Sequence, residues 1–597
     1  MKKILFVVPM HITWASFTTP SFYNVQIQKK DGKSYNIPRT DLPLGPLSMS
    51  AYLKQHTPVD VRLIDFNAEM NALDHIHFQS FDEACTSSFL EIEAFQPDIV
   101  GISSLFSPSY DNFIACSKAA RKIWPNAIVI GGGNIPTNSY RQIYLEDKVL
   151  EFDGLCYGEG EKPLLELVTH IDPAAYLESS SSWITAHKIT HHPDFKPEHN
   201  FIENLDEIPF FDYELCDLKK HEVNQVVASY HNLEKTRGFH VMTSRGCPFL
   251  CTFCASHRTH GRTMRYHSLE RVSEDFRKLK EHYNAETIIF QDDHLMADSD
   301  RVYRILDILK DYSLQSVYQN GLTLYALNRQ MLEAFHGAGV RHLVLPVESG
   351  SEKVLKQHMK KPLKMRISRQ VAADCRDLGI YTNTNILIGM PGETKFDLEE
   401  ARFALKSVPS NWFNIACASP IVGSEMHEIS VGKGYIGEQV IGSDYRTAVL
   451  NTEDFSAEFI QEYQYFINLD LNFVHNGDLR CQNWEWAAKG FRNVLRIKSD
   501  HAFAHHYLAR ALEGMQDHEQ ARHHHGQYLE LVQQPFWGRW AYIFGMEGIN
   551  PAEWSASDQG LLQDILAGAF AHATAPDEHI PTCPPSPRTI PIHSIAN

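Results

Sequence analysis

Thr243-Ser-Arg-Gly-Cys-Pro-Phe-Leu-Cys-Thr-Phe-Cys254 sets Cys247, Cys251 and Cys254 in a C-x3-C-x2-C pattern. Gly246 and Pro248 mark the stretch as a loop. It follows directly on Phe239–Ser244, an apolar run that predicts a strand. Three thiolates this close can wrap one corner of a cubane iron–sulfur cluster and leave its fourth iron open to an exogenous ligand. Such clusters are usually held by four cysteines, so a tight group of three with no fourth nearby is informative. A tetrahedral zinc site is the rival reading, and His257 stands close enough in sequence to complete it. Three buried core thiols are the remaining reading.

The elements that must position these thiols form a βα series from residue 236. Strands are predicted at Phe239–Ser244, Thr287–Gln291, Ser316–Asn320, His342–Val347, Tyr381–Ile388 and Phe413–Ser419, with helical patterns such as Leu269–Tyr283 and Arg301–Tyr312 between them. Six such units fit a partial (β/α)6 barrel of the TIM type, in which chemistry sits at the C-terminal strand ends. The first 170 residues also alternate strand and helix, with apolar runs at Lys3–Val8, Val59–Ile64, Pro97–Ser103 and Ala127–Ile130. Short, continuous apolar strands predict a doubly wound, Rossmann-like parallel sheet. Ligands of such sheets bind beyond the carboxyl strand ends, where Ser103, Ser104, Gly131, Gly132 and Gly133 fall. Glycines there let the backbone approach a bulky ligand tail and its phosphate.

The expected organisation is an N-terminal sheet domain (1–170), a polar connector (171–235), the barrel (236–450), a helical region (451–573) and a proline-rich, disordered tail (574–597). In the helical region Ala487 and Ala521 lie 34 residues apart, the tetratricopeptide period, although an ordinary amphipathic helical pair reads equally well. His523–His525 suggests a solvated helical face. The 73 acidic and 55 basic residues give a net charge of −18, which argues against nucleic acid or an anionic membrane as partner. No apolar run reaches the roughly 18 residues of a spanning helix. The odd count of 11 cysteines without a secretory signal predicts reduced thiols in a cytoplasmic protein.

The motif SRGCPFLCTFC, with the segments that follow it to about residue 425, resembles the radical S-adenosylmethionine (SAM) superfamily. The resemblance implies a [4Fe-4S] cluster on Cys247, Cys251 and Cys254, with SAM on the open iron and Phe253 beside its adenine. Phe290-Gln-Asp-Asp-His294 resembles the acidic end of the second strand. Pro346-Val-Glu-Ser-Gly-Ser351 resembles the fourth-strand segment, which places Glu348 and Ser349 at SAM. Ile388-Gly-Met-Pro-Gly-Glu-Thr394 resembles the fifth-strand end, which places Leu387 and Ile388 near the adenine, and Ala418–Ser424 the sixth.

The N-terminal region is similar to the cobalamin-binding domain of class B radical SAM enzymes at Pro43–Leu47, Pro97–Ser104, Ile130–Asn134 and Tyr157-Gly-Glu-Gly-Glu161. The resemblance implies a cobalamin site that includes Ser103, Ser104, the three glycines, Gly158 and Glu159. The D-x-H-x-x-G motif that supplies an axial histidine in many cobalamin mutases is absent; His11 is the nearest histidine to the first strand, and no aspartate precedes it by two. Asn134 stands where relatives often carry histidine.

The family resemblance implies a methyltransferase acting on an unactivated carbon or phosphorus centre of a small molecule or peptide. It would use two SAM molecules per turnover and an external donor of the flavodoxin or ferredoxin type. A radical cyclase or ring-rearranging enzyme is the alternative. A non-catalytic iron–sulfur or zinc protein, with the C-terminal helices docking a protein partner, is the alternative of a different class.

Overall fold

Lys2–Val8 (β1) is apolar and buried from Ile4 to Val8, as a strand covered on both faces must be. It pairs in parallel with Val59–Asp65 (β2) on one side and Ile99–Ser103 (β3) on the other. Ile128–Gly132 (β4) and Gly154–Cys156 (β5) extend the parallel sheet, and Trp183–Ile184 (β6) closes the edge antiparallel to β5. The order β2-β1-β3-β4-β5-β6 changes its direction of growth between β1 and β3, the topological switch point of a doubly wound sheet.

The computed structural model describes residues 1–19, 26–38, 40–221, 237–437 and 447–549. The expected disordered tail lies outside them. β6 falls inside the stretch read as a connector. A serine run precedes its two buried apolar residues, and so short a strand in polar surroundings has no periodicity to read.

The chain divides into two compact units. The first holds this sheet and three parallel strands, Gly238–Val241 (β7), Thr287–Phe290 (β8) and Gln315–Tyr318 (β9), in the order β9-β8-β7. Helices Leu269–Tyr283 and Ser299–Asp311 connect them, each opened by an N-cap, Ser268 or Asp298, that accepts from the first turn. The second unit holds His342–Glu348 (β10), Tyr381–Ile388 (β11) and Trp412–Cys417 (β12), paired in that order and also parallel. All six strands expected of the partial barrel are present, as two three-stranded sheets.

The second unit continues into helices Ala457–Leu469, Trp484–Ile497, Ala502–Gly514, His518–Leu531 and Pro535–Ile543. Ala487 and Ala521 are buried at matching places in the first turns of their helices. His523 is exposed, but the rest of that run is not a solvated face: His524 Nδ1 lies 2.9 Å from His505 Nδ1, and His525 turns toward His506. At about 100° per residue, three consecutive residues span about 200° of a helix, so they cannot share one face. Among the described residues no helix is long and apolar enough to cross a membrane.

Candidate functional site

The cysteine loop begins where β7 ends. Gly246 takes φ +97°, and a Cβ there would run into the Thr263 carbonyl, so the turn requires glycine. Cys247 N–H donates to Gly261 O at 3.2 Å and Cys254 N–H donates to Cys251 O at 3.2 Å. The loop thus closes on itself with its thiols at the surface. Cys247, Cys251 and Cys254 are all partly exposed, as is Phe253. Cys85, Cys116, Cys156, Cys216, Cys375 and Cys417 are buried free thiols, inert packing groups rather than ligands. Burial, together with the charges of Cys254, Asp293 and Cys251, pushes the Cys247 thiol up to about 11.

Two adjacent acids after β8 behave differently. Asp292 is fully buried and accepts from Thr243 N–H, Thr243 Oγ1 and Ser244 Oγ, so it builds the loop's base. Asp293 Oδ2 is buried with no hydrogen-bond partner, within electrostatic reach of Cys247 and His260. An orphaned carboxylate oxygen near the Cys247 thiol suits a cationic ligand group and is costly without one. Among the described residues no three His, Cys, Asp or Glu side chains converge tightly enough for a single metal ion. Three partly exposed thiols on one short loop, with no fourth cysteine beside them, are a donor set that fits a cluster with one open iron.

Both flanks of the cysteine loop are tied to the turn after β5. Glu159, 5% exposed, lies 3.0 Å from Arg245 Nη1; it accepts from Arg265 Nη2 at 2.5 Å and contacts His260 Nδ1 at 2.9 Å. Glu161 accepts from Arg245 Nη2 at 2.7 Å and from Ser48 Oγ at 2.6 Å. Burial pushes both carboxyls up, but Arg245 and the other donors overcome it and hold both below the usual carboxylate range. Arg245 precedes the first cysteine by two residues, and His260 and Arg265 follow the last. Thr259 Oγ1 adds a bond of 2.6 Å to Asn134 Oδ1, so the asparagine in the histidine position secures the loop. Gly158, at φ +80°, lets the turn pass His199, whose Nδ1 would lie 2.5 Å from a Cβ.

The expected cobalamin residues separate into distinct roles. Ser104 is buried, donates its N–H to Gly132 O at 2.9 Å and shares a hydrogen bond of 2.7 Å with Ser109 Oγ. A Cβ on Gly133, at φ +99°, would stand 2.5 Å from Ser104 O. A Cβ on Gly131 would strike Phe113 and Leu155 at 2.6 and 2.7 Å, so that glycine makes room for the core. At Gly132 nothing lies within 4 Å of a Cβ. Together with the partly exposed Ser103 and the 50%-exposed Leu105 after β3, it borders open space at the sheet's carboxyl edge. That cradle suits a large ligand with an apolar body. The Glu159 carboxylate, assigned to the cofactor by the resemblance, is engaged instead by Arg245, Arg265 and His260.

In the second unit Glu348 ends β10 at φ +70°, beyond a register shift after Pro346. A left-handed non-glycine residue costs on the order of 1–3 kcal/mol and clusters at functional sites. Its carboxylate is 3.3 Å from Lys361 Nζ. Ser349 is buried, and its Oγ accepts from Ser351 N–H at 3.1 Å. Leu387 is partly exposed and Ile388 buried at the end of β11. Sequence reasoning missed Glu393 as the organiser of the next turn. Its carboxylate accepts from Gly389 N–H at 2.7 Å and Met390 N–H at 2.9 Å, and burial pushes it up to about 7.

Residues 241–405 match the Radical SAM superfamily model, and residues 41–168 match the B12 binding domain model. Cytidylyl-2-hydroxyethylphosphonate methyltransferase of Streptomyces wedmorensis is 26% identical over 474 residues, 73% of this chain and 87% of that protein. The anaerobic magnesium-protoporphyrin IX monomethyl ester cyclase of Rubrivivax gelatinosus is 24% identical over 320 residues, 52% of this chain and 54% of that protein. Among solved structures, the radical SAM methyltransferase TsrM of Kitasatospora setae, with tryptophan and a SAM analogue bound, aligns with a TM-score of 0.53 at 15% identity. That alignment covers 78% of this chain and 83% of TsrM, a likeness of fold.

Proposed function

We infer that this chain, which belongs to the radical SAM enzymes that carry a B12-binding domain, is a methyltransferase acting on an unactivated carbon or phosphorus centre of a small molecule. When bound, the cluster and SAM supply a carbon radical and cobalamin a transferable methyl group. The observation that carries the reading is the buried clasp of Glu159 and Glu161 on Arg245, His260 and Arg265. It fixes the cysteine loop and the sheet's carboxyl edge in one body, so two cofactors held there keep a constant separation. Methyl transfer between them needs that constancy.

In this assignment Cys247, Cys251 and Cys254 hold the cluster and keep its open iron toward SAM. In the first unit, Phe253 and the orphaned Asp293 are the residues offered to SAM at the cysteine loop. In the second unit, Glu348, Ser349, Leu387 and Ile388 are the strand-end residues that the family resemblance assigns to SAM. Ser103, Ser104, Gly132 and Gly133 line the cobalamin tail. Gly131 opens the core beneath it, and Gly158 and Glu159 hold the cysteine loop. Electrons come from an external flavodoxin- or ferredoxin-type donor. The free buried thiols and the cluster suit a reducing cytoplasm.

The test is anaerobic reconstitution with iron, sulfide, SAM and cobalamin, followed by a mass-spectrometric search of candidate phosphonates and small metabolites for a product heavier by one methylene. With substrate, 5′-deoxyadenosine and S-adenosylhomocysteine should appear in about equal amounts. The partial match to the cyclase supports a second reading, radical ring closure; deoxyadenosine without S-adenosylhomocysteine would select it.

A further inference from the structure

Phe396 and Phe403 stand on helix Lys395–Lys406 of the second unit and are 77% and 56% exposed. They are seven residues apart, close to two helical turns, so they lie on one stripe. The same helix already buries Leu398, Ala401 and Leu405 in the core. A second apolar stripe serves no packing inside this chain, and exposed apolar patches mark contact surfaces.

A basic segment runs beside that helix. Residues 352–369 carry seven Lys and Arg against one acidic residue, in a chain whose net charge is −18. Lys353 Nζ donates to Asp397 Oδ2 at 2.9 Å in the helix's first turn, Ser351 Oγ donates to Glu400 at 2.6 Å, and Arg369 Nε donates to Ser407 Oγ at 2.7 Å at the C-cap. The one acid, Glu352, accepts from Met365 N–H at 3.0 Å. The segment's ion pairs go to Lys353 and Lys361; Lys356, Lys364 and Arg366 are exposed with no carboxylate partner among the described residues.

The segment begins at the chemical end of its strands. It follows β10, and Lys361 Nζ lies 3.3 Å from the carboxylate of Glu348, which the resemblance assigns to SAM. In a βα unit the carboxyl end of a strand and the start of the next helix share one end. Phe396, in the first turn of the helix after β11, therefore stands at that end too.

We propose that this face docks an acidic protein that delivers single electrons, with Lys356, Lys364 and Arg366 meeting its carboxylates and Phe396 and Phe403 forming the dry centre. The proposal rests on the radical SAM reading above, which calls for an external reductant. Charge selects the occupant. In a two-fold dimer of this chain the basic segment would face itself and repel. An acidic carrier is drawn to the segment while the rest of this negative chain repels it, which orients the encounter. One electron leaves the donor for each SAM whose C–S bond breaks; the donor is oxidised by one electron and methionine departs.

The experiment reconstitutes the full-length protein anaerobically with iron, sulfide and SAM. It times 5′-deoxyadenosine release with either reduced flavodoxin or dithionite, a small reductant that needs no docking surface. One variant carries Lys356→Glu, Lys364→Glu and Arg366→Glu; a second carries Phe396→Ser and Phe403→Ser. Each should lower the flavodoxin-driven rate by roughly tenfold or more and leave the dithionite-driven rate unchanged. Added salt should slow the flavodoxin-driven reaction of wild type and spare the dithionite-driven one. A control with Lys118→Glu and Lys122→Glu, exposed on the first unit, should keep both rates. Equal flavodoxin-driven rates in wild type and the two variants overturn the proposal. So does an equal loss in the control, a loss that extends to dithionite, or a wild type that answers to dithionite and not to flavodoxin. No SAM cleavage by wild type with dithionite is a different result: it refutes the radical SAM reading, and this inference with it.

Discussion

Glu159 Oε2 and Arg245 Nη1 stand 3.0 Å apart inside the protein, joining the turn after β5 to the residue two positions ahead of the first cysteine. Removing one partner leaves a buried charge uncompensated, which typically costs about 3–5 kcal/mol. Glu159→Gln should therefore lower the thermal unfolding midpoint clearly and reduce iron incorporation, although it removes no cluster ligand. A calorimetric scan and an iron assay check both; an unchanged midpoint would show that the clasp contributes nothing.

Single replacement of Cys247, Cys251 or Cys254 by Ala should abolish bound iron and reductive SAM cleavage while leaving the circular dichroism spectrum intact. Each thiol is partly exposed on a loop, so little packing is lost. Cys375→Ala deletes a fully buried thiol and should lower stability modestly, with iron content unchanged.

Gly132 and Gly131 make a paired test. Gly132→Trp projects into open space and should fold normally, lose cobalamin on gel filtration and keep its iron. Gly131→Trp would collide with Phe113 and Leu155 and should give insoluble protein. Equal cobalamin retention by Gly132→Trp and wild type would move the tail elsewhere.

Glu348→Gly should relax the left-handed backbone and delete the carboxylate together, whereas Glu348→Ala deletes the carboxylate alone. If the carboxylate binds SAM, both variants should lose SAM affinity by roughly tenfold to a hundredfold, the range of a charged hydrogen bond. Both SAM by-products should fall with it. Equilibrium binding of SAM to the reconstituted variants measures this. Rescue by Gly would show that only the backbone mattered.

Acid should weaken the C-terminal helices through His501. This buried residue caps its helix by accepting Ala504 N–H at Nδ1, 3.1 Å away, and lies between Phe473 and Trp537. Burial, with Lys498 nearby, holds it at about 3, below its ordinary 6.5. The unfolded chain therefore binds more protons between these values, and stability falls as pH drops from about 6.5 toward 3. His501→Asn keeps an acceptor at the cap without titrating there, so its unfolding midpoint should vary less with pH over that window.

The parts legible in sequence were those written in local pattern. Cysteine spacing marked the loop, and continuous apolar runs placed all six strands of the barrel and β1 to β4 of the sheet. Partnerships across long stretches of chain were not legible. Glu159 stands beside glycines in a segment like those that line cofactors, yet its carboxylate meets Arg245, His260 and Arg265 from 86, 101 and 106 residues away. Gly131, Gly132 and Gly133 are identical letters in a row, but strand alternation turns the first into the core and the second toward open space. The trap at β6 was composition, since Trp183 and Ile184 follow a run of serines.

The clasp lies on either side of the cysteine loop. Its two carboxylates, two guanidiniums and one imidazole satisfy one another without help from iron or sulfide, so the ends of the loop are anchored by the protein itself. The anchoring of the loop's two ends is therefore a property of the polypeptide's own side chains and not of the cluster.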